Sequence, residues 1–311
     1  MRRLIAIGLL AFILIPAGVS AQNCEPDSVA VQILGSGGPQ INPRRSSTSY
    51  LLWVGDKARV LVDIGGGALI RFGQAQAKTS DLSLLAVSHL HPDHISDLPA
   101  FLWSSRYELR KEPLRIAGPS GNDAAPDFAT FLARLFDEKN GAFPVLGGTL
   151  GGKRRDIPSG PPSTGDGGRL DIAVIDVKKA EPSTVLDGDG LTVTALGIPH
   201  GNMPTLAYRV KVRNMSIVFS SDQMGTDPKF VEFARGANIL IMHLAIAAGV
   251  KNNPLHAGPD VVGRIAQEAG IGRLIVSHIG IFDLNAALAD LKTNYTGPLT
   301  VGADLLCTPV K

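Results

Sequence analysis

Three of the seven histidines in this chain fall within six residues, in the segment His89-Leu90-His91-Pro92-Asp93-His94. Imidazole nitrogens and a carboxylate oxygen at this density are donors that suit a borderline divalent ion such as zinc. Positions 89, 91, 93 and 94 do not share one face of a helix, so a loop wrapped around an ion is predicted. A single histidine would more often be an ordinary core or loop residue. Four donors in six residues indicate a metal site.

The elements on either side of this segment would place it at the edge of a sheet. Leu82–Val87 is a continuous apolar run and is predicted to be a strand. Asp93–Tyr107 has the apolar spacing of a helix, so strand, metal loop and helix follow one another. Four further histidines lie at or just after apolar strand-like runs or at loop starts: His200, His243, His256 and His278.

The rest of the chain divides into two halves of similar order. Val29–Leu34, Ser49–Val54 and Ala58–Asp63 are β-rich runs typical of an antiparallel meander. Strand-like runs resume after residue 170 and are again followed by strand-helix units. This duplication predicts an α/β fold in which two β-sheets pack face to face with helices outside.

One segment interrupts this order. Residues 147–168 contain eight glycines and three prolines, together with the basic triplet Lys153-Arg154-Arg155. This composition predicts no regular structure, so the segment is either a mobile flap beside the site or a flexible linker. The triplet is equally explained as solvated surface. The segment is predicted to lie within a single domain that spans residues 22–311.

The first 21 residues have the order of a secretory signal peptide: a basic start, the uncharged run Leu4–Ile15, and small residues up to Ala21. Cleavage after Ala21 is expected, and the mature protein would be periplasmic or secreted. Lipidation of Cys24 is the alternative, but the two residues before it are not the small ones that such processing prefers. The apolar run is shorter than the roughly 20 residues of a membrane-spanning helix, so no membrane span is predicted.

Charge and cysteine content restrict the partners. Lys+Arg total 30 and Asp+Glu total 28, and a leader that contains Arg2 and Arg3 would leave 28 of each in the mature chain. Long polyanions are usually bound by excess Lys and Arg, so neutrality argues against a nucleic acid and favours a small-molecule substrate. The sequence does not exclude a homodimer. The two cysteines, Cys24 and Cys307, would form a disulfide after export, with two unpaired thiols as the alternative.

The order of the metal motifs resembles that of the metallo-β-lactamase superfamily. The matching segments are His89-Leu90-His91-Pro92-Asp93-His94, Pro199-His200-Gly201, Ser220-Ser221-Asp222 and Ser277-His278. The resemblance covers essentially the whole mature chain. The Leu34–Pro39 opening and the Pro254-Leu255-His256 segment are most similar to the ribonuclease Z and arylsulfatase branch. The resemblance implies a four-layer αββα sandwich of two mixed β-sheets with outer helices.

The resemblance also implies a site for two zinc ions, for which Mn²⁺ or Fe²⁺ are alternatives. The implied ligands are His89, His91 and His200 for one ion, Asp93, His94 and His278 for the other, and Asp222 as the carboxylate that bridges them. Asp93 would also orient the attacking water. Asp63 would support a metal-bound imidazole, although a turn aspartate is the alternative for this residue.

Two histidines remain outside this ligand set. His256 is similar to the histidine that branches cleaving phosphate or sulfate esters place over the leaving group, where it would donate a proton or stabilise an oxyanion. His243 occupies the position where ribonuclease Z proteins carry His followed by Glu, and it is predicted to lie just outside the ligands. Leu244 replaces that Glu here, which puts a His-Glu relay in doubt.

These features together predict an exported binuclear zinc hydrolase. The expected reaction is cleavage of a phosphodiester, phosphonate or sulfate ester by a hydroxide shared between the two ions. The alternatives are a lactonase, thioesterase or β-lactamase type of carboxyl hydrolase, and a ribonuclease Z-like nuclease. A zinc-binding protein without catalytic activity is a further alternative, disfavoured because storage does not need this donor set.

Overall fold

The computed structural model describes residue 24, residues 28–151 and residues 168–311. Within these residues the strands form two seven-stranded sheets. The first sheet contains, in spatial order, β14 (Cys307–Pro309), β1 (Val29–Gly35), β2 (Ser49–Val54), β3 (Lys57–Val62), β4 (Leu84–Ala86), β5 (Leu114–Pro119) and β6 (Leu170–Ile175). The second contains β13 (Leu299–Val301), β12 (Arg273–Ser277), β11 (Ile239–His243), β10 (Met215–Phe219), β9 (Thr205–Val212), β8 (Leu191–Ile198) and β7 (Ser183–Gly188).

The two sheets repeat one plan, as the sequence predicted. In the first sheet β1, β2 and β3 pair antiparallel, whereas β3, β4, β5 and β6 pair parallel. In the second sheet β7 to β10 pair antiparallel and β10 to β13 pair parallel. The carboxyl ends of neighbouring parallel strands meet at one edge of a sheet. Loops that follow these strands therefore converge at the same edge.

Helices cover the outer face of each sheet. Those on the first sheet are α1 (Ala68–Gln74), α2 (Pro92–Ile95), α3 (Leu98–Ser105) and α4 (Phe128–Phe136), and those on the second are α5 (Pro228–Ala234), α6 (Pro259–Glu268) and α7 (Leu284–Leu291). One apolar cluster fills the space between the sheets. A further cluster lies between each sheet and the helices that cover it. The four-layer αββα sandwich is confirmed. No helix in the described ranges is both long and apolar enough to span a membrane.

Two local predictions were wrong. The single helix over Asp93–Tyr107 is broken into α2 and α3, because Pro99 lies in the first turn of a new helix. The glycine-rich segment is not irregular from its first residue: Gly147 to Leu150 belong to a 3₁₀ helix, Pro144–Leu150, in which Gly147 and Gly148 are buried. The remainder, residues 152–167, lies outside the described residues, as does the predicted signal peptide, residues 1–21.

A disulfide joins Cys24 and Cys307, as predicted. Their Cα atoms are 5.6 Å apart, and 283 residues separate them in the sequence. Cys307 begins β14, which pairs with β1 through the register Gln32 to Cys307. The disulfide therefore fixes the amino-terminal segment to the carboxyl-terminal edge strand of the first sheet.

Candidate metal centre

The predicted donor residues lie shortly after strands at one edge of the two sheets, in loops or, for Asp93 and His94, in the short helix α2. His89 follows β4, His200 follows β8, Asp222 follows β10 and His278 follows β12. Each sheet thus supplies part of the site, and the apolar cluster between the sheets holds the two parts together. The sandwich brings residues nearly 190 positions apart in the sequence to one point.

The first group of donors contains His89, His91, His200 and Asp222, whose ligand atoms all lie within 4.8 Å of one another. His89 Nε2 is 3.0 Å from His91 Nδ1, and His200 Nε2 is 3.3 Å from the same Nδ1. Asp222 Oδ2 lies 3.8 Å from His200 Nε2. Three imidazole nitrogens and one carboxylate therefore point to a common centre.

The second group contains Asp93, His94 and His278. Asp93 Oδ2 is 3.2 Å from His278 Nε2 and 3.6 Å from His94 Nε2. Asp222 Oδ2 also borders this group, at 3.2 Å from His278 Nε2 and 3.5 Å from His94 Nε2. Asp222 thus lies between the two groups, where a bridging carboxylate is expected. The structure brings together all seven residues that the sequence suggested as ligands.

The donor set fits a pair of divalent cations. Asp222 Oδ1 and His94 Nε2 are buried atoms that have no hydrogen-bond partner among the described residues. Ring nitrogens that lie about 3 Å apart need either a proton or a cation between them, because their lone pairs repel. Cations at the two centres would satisfy these atoms, and mixed N and O donors suit zinc.

Asp63 fixes one of the imidazoles. Its Oδ2 is 2.8 Å from His94 Nδ1, and its Oδ1 accepts a 2.7 Å hydrogen bond from the backbone N–H of Ser88. Nδ1 of His94 therefore carries a proton toward Asp63, which leaves Nε2 free to bind a metal ion. This contact is the one that the supporting role suggested from the sequence requires. Ser88, which the sequence did not single out, also donates from its Oγ to Asp63 at 2.8 Å.

Three site residues other than glycine have left-handed backbone conformations: Asp63 with φ 57°, Ser221 with φ 52° and His278 with φ 49°. Such conformations cost on the order of 1–3 kcal/mol each and persist where the surrounding structure requires them. Asp63 and His278 directly follow a strand end, and Ser221 is the second residue after one. The turns therefore direct these side chains or their neighbours toward the candidate metal centre. The packing of the two sheets offsets the conformational free energy that these turns cost.

Electrostatics set the protonation of the donors. Burial, with repulsion from His94, holds the pKa of His89 well below its usual value, so this imidazole is neutral as a ligand must be. Burial opposes ionisation of Asp222, but His278 and His94 keep its pKa well below the usual range. Burial likewise opposes protonation of His278, but Asp222 and Asp93 raise the pKa of His278 to about 9. A metal ion would have to displace that proton.

His256 lies over the centre without belonging to either donor group. Its ring centroid is 5.3 Å from that of His200 and 5.7 Å from that of His278, and its Nδ1 is 3.9 Å from Asp222 Oδ2. Burial lowers the pKa of His256 to about 4, so its ring is neutral near pH 7. The ring also lines a cavity of about 540 Å³. This position leaves His256 able to contact a substrate.

Gly38 packs directly on a ligand, a contact that sequence reasoning missed. A Cβ at this position would lie 2.5 Å from Cε1 and 2.9 Å from Nδ1 of His278. His278 would have to move, so we expect Gly38→Ala to weaken metal binding by about 10- to 100-fold, the range for disrupted support of a ligand. Metal affinity measured by competition with a chromogenic chelator checks this.

The matched control for Gly38 is Gly73→Ala in α1, where a Cβ would meet no atom within 4 Å. Alanine should stabilise that helix position by about 0.5–1 kcal/mol and leave metal affinity unchanged. Equal metal affinity in Gly38→Ala and wild type would contradict the proposed packing against His278.

Comparison with known proteins identifies the family. The family model described as the metallo-beta-lactamase superfamily matches residues 42–232, more than half of the chain. The chain therefore belongs to the metallo-β-lactamase superfamily.

Two proteins named Ribonuclease Z are similar to this chain over most of its length. The chain is 27% identical over 297 residues to a protein named Ribonuclease Z from Mycobacterium marinum, covering 89% of this chain and 97% of that one. A protein of the same name from Mycolicibacterium paratuberculosis is 27% identical over 275 residues, or 80% of this chain and 85% of that one.

Solved structures agree on the fold. The metallo-beta-lactamase fold protein YhfI from Bacillus subtilis superposes with a TM-score of 0.67 at 21% identity, covering 91% of this chain and 100% of YhfI. The short form of human tRNase Z superposes with a TM-score of 0.68 at 16% identity, covering 91% of this chain and 99% of that one. At these identities the likeness concerns the fold alone.

These relatives overturn two expectations drawn from the sequence. The preference for a hydrolase of small-molecule esters was wrong, and so was the argument against a nucleic acid partner, because relatives named Ribonuclease Z match over most of this chain. Net charge misled because it averages over the whole surface. A site that binds one or two phosphate groups through metal ions needs no overall excess of Lys and Arg.

Proposed function

We propose that this chain is a metal-dependent nuclease that hydrolyses a phosphodiester bond of RNA. The observation that carries the proposal is the joint occurrence of two things: a complete set of seven converging donors, and full-length relatives named Ribonuclease Z. The membership of the superfamily accounts for a metal-dependent hydrolase. The name of the relatives favours RNA among the substrates that such a site could cleave.

The proposal includes two zinc ions. His89, His91 and His200 would hold one, Asp93, His94 and His278 the other, and Asp222 both. Bound there, the ions would activate water for attack and neutralise the charge on the scissile phosphate. Asp93, a member of the second group, would also accept a hydrogen bond from the attacking water and orient it. His256 would donate a hydrogen bond on the substrate side of the centre.

Cavities beside the candidate metal centre support a polymeric substrate. A phosphodiester within RNA carries a nucleotide on each side, so a nuclease needs room in two directions. Among the described residues, His200 lines one cavity of about 560 Å³ and His256 lines another of about 540 Å³. Each is large enough for a nucleotide-sized group. Thr226 borders both cavities, which places them next to each other along the loop after β10.

The test is a cleavage assay on end-labelled RNA. Metal-free protein is titrated with zinc and incubated with an RNA hairpin that has a single-stranded 3′ tail, and a chromogenic aryl phosphodiester, lactone and β-lactam are assayed in parallel. We expect RNA cleavage that rises with zinc and saturates near two equivalents. Turnover of the lactone or lactam alone, with no cleavage of RNA, would reject the proposal.

We also propose that the chain acts in an oxidising compartment, such as the periplasm. The Cys24–Cys307 disulfide supports this, because structural disulfides form mainly outside the reducing cytoplasm. The order of basic, apolar and small residues over positions 1–21 is the second support.

The disulfide leads to a direct prediction. Protein purified from the oxidising compartment and unfolded without reductant should show no titratable thiol, because these are the two cysteines of the chain. Addition of reductant should reveal two thiols. Loss of the disulfide should destabilise the fold by up to about 5 kcal/mol in the chain-entropy model, because the closed loop is long. Two thiols before reduction would show that the bridge does not form.

A further inference from the structure

His243 is a buried histidine that the proposed chemistry does not use. It is the last residue of β11, the strand between β10 and β12, and only 3% of its surface is exposed. Its ring centroid is 5.4 Å from that of His256. It belongs to neither donor group. A buried polar ring at this place is costly unless both nitrogens are satisfied.

Both ring nitrogens of His243 are satisfied by backbone groups. Nδ1 lies 3.0 Å from the carbonyl oxygen of Ser221, which can only accept a hydrogen bond. Nε2 lies 3.2 Å from the backbone N–H of Ala257, which can only donate one. Nδ1 must therefore carry the proton and Nε2 must be the acceptor. The surroundings define a single neutral tautomer, the one less favoured by histidine in water.

The two hydrogen bonds connect the two loops that matter most at the centre. Ser221 precedes Asp222, and Ala257 follows His256. The N–H of Ala257 is shared with the carbonyl oxygen of Gln223 at 2.7 Å, so the same loops are in contact at a second point. His243 thus ties the Asp222 loop to the His256 loop through the end of β11.

The His256 side chain has little else to fix it. Its Nδ1 is buried and has no hydrogen-bond partner among the described residues, and its contact with Asp222 Oδ2 is 3.9 Å long. The backbone N–H of His256 donates to Asn253 Oδ1 at 2.9 Å within the same loop. The position of the His256 ring relative to the metal centre is therefore set by its backbone. That backbone is held on one side by the contacts of Ala257 and on the other by the Leu255 carbonyl, which lies 2.8 Å from His200 Nδ1.

We propose that His243 is a positioning residue for His256: as a fixed neutral imidazole it holds the His256 loop at a set distance from Asp222. The proposal rests on the proposed nuclease function, in which His256 contacts the substrate. Leu244, which follows His243, is fully buried in the apolar cluster beneath α6 and cannot take this role. A displacement of about 1 Å at a catalytic group can cost roughly 10²-fold in rate.

A double-mutant cycle on phosphodiester cleavage tests the proposal. His243→Phe keeps an aromatic ring and removes both hydrogen bonds, and it should lower turnover by about 10- to 100-fold while bound zinc stays unchanged. In a His256→Ala background the same change should cost less than about twofold, because a residue that acts through His256 has nothing left to position. Met242→Leu, in the same strand and equally buried, is the control and should behave like wild type.

Three outcomes would overturn the proposal. One is an equal loss of turnover from His243→Phe in both backgrounds, which would show that His243 acts independently of His256. Another is wild-type turnover in His243→Phe. The third is zinc loss in His243→Phe, which would assign His243 to support of the ligands.

A spectroscopic measurement on the unaltered protein keeps the test independent of folding and of activity. The ¹⁵N spectrum of labelled protein should show His243 protonated at Nδ1 and unprotonated at Nε2 near pH 7. Protonation at Nε2 would remove the hydrogen bond from Ala257 and overturn the proposal. If the wild-type protein cleaves no phosphodiester, the nuclease function fails, whereas this spectrum still decides whether His243 forms the tie.

Discussion

The Asp222→Ala variant is expected to lose at least one metal equivalent and to cleave a phosphodiester roughly 10³-fold or more slowly than the wild type. Asp222 Oδ2 lies within 4 Å of donor nitrogens from both groups: 3.2 Å from His278, 3.5 Å from His94 and 3.8 Å from His200. Without this carboxylate, the two donor groups share no protein ligand, and less negative charge offsets the repulsion between the two dications. Their mutual repulsion should then expel the more weakly held ion.

Metal analysis after gel filtration and single-turnover cleavage together check this prediction. Asp187→Ala, an exposed residue of β7 whose carboxylate accepts a hydrogen bond from Thr192, serves as the control and should retain both metal and activity. Thermal unfolding of metal-free samples should show whether the Asp222→Ala fold is intact. Retention of two ions in a folded Asp222→Ala protein would show that Asp222 does not bridge the ions.

The sequence predicted the parts of the fold in which local pattern and tertiary packing agree. The helix Phe128–Phe136 is predictable because its aromatic residues lie on one face and Asp127 caps the helix by accepting from the N–H of Thr130. The strands Leu191–Ile198 and Thr205–Val212 are predictable too, because their alternating apolar residues face the space between the sheets. In these elements, burial and periodicity select the same structure.

Other elements could not be predicted because their packing depends on distant segments. The strand Ser183–Gly188 is an edge strand of the second sheet, and half of its residues are exposed, so little apolar periodicity marks it. The strand Cys307–Pro309 forms three residue pairs with β1, and it is a strand only because β1 supplies these hydrogen-bond partners. The 3₁₀ helix Pro144–Leu150 buries glycines against the end of α4. The glycine-rich composition of this segment does not predict that contact.

At the site, the order of the motifs and the family resemblance predicted which donors converge and placed Asp63 beside them, but they did not predict the other contacts around the donors. The seven donors follow strands whose carboxyl ends meet, so their convergence follows from the fold. The roles of Ser88, Gly38 and His243 depend on backbone positions of other segments. The His243 contacts, for example, involve a carbonyl 22 residues earlier and an N–H 14 residues later. No spacing rule in the sequence encodes such contacts.

The His256→Ala variant should turn over about 10²-fold or more slowly than the wild type and keep its full zinc content. His256 lies outside both donor groups, yet its ring lines a cavity and its Nδ1 is 3.9 Å from Asp222 Oδ2. Burial lowers the pKa of His256 to about 4, so near pH 7 the ring is a neutral hydrogen-bond donor. A neutral N–H stabilises negative charge that develops in the transition state without giving up its proton.

Substrates with different leaving groups reveal how His256 acts. A neutral donor to a phosphoryl oxygen should matter about equally for a ribonucleotide and a nitrophenolate leaving group, so His256→Ala should slow cleavage of both by a similar factor. If His256 instead transfers a proton to the leaving oxygen, nitrophenolate should need it far less, because this group departs without protonation. Steady-state cleavage of RNA and of an aryl phosphodiester, with Asp187→Ala as control, separates the two roles. Normal turnover in His256→Ala would reject a catalytic role, and loss of zinc would mean that His256 is a ligand.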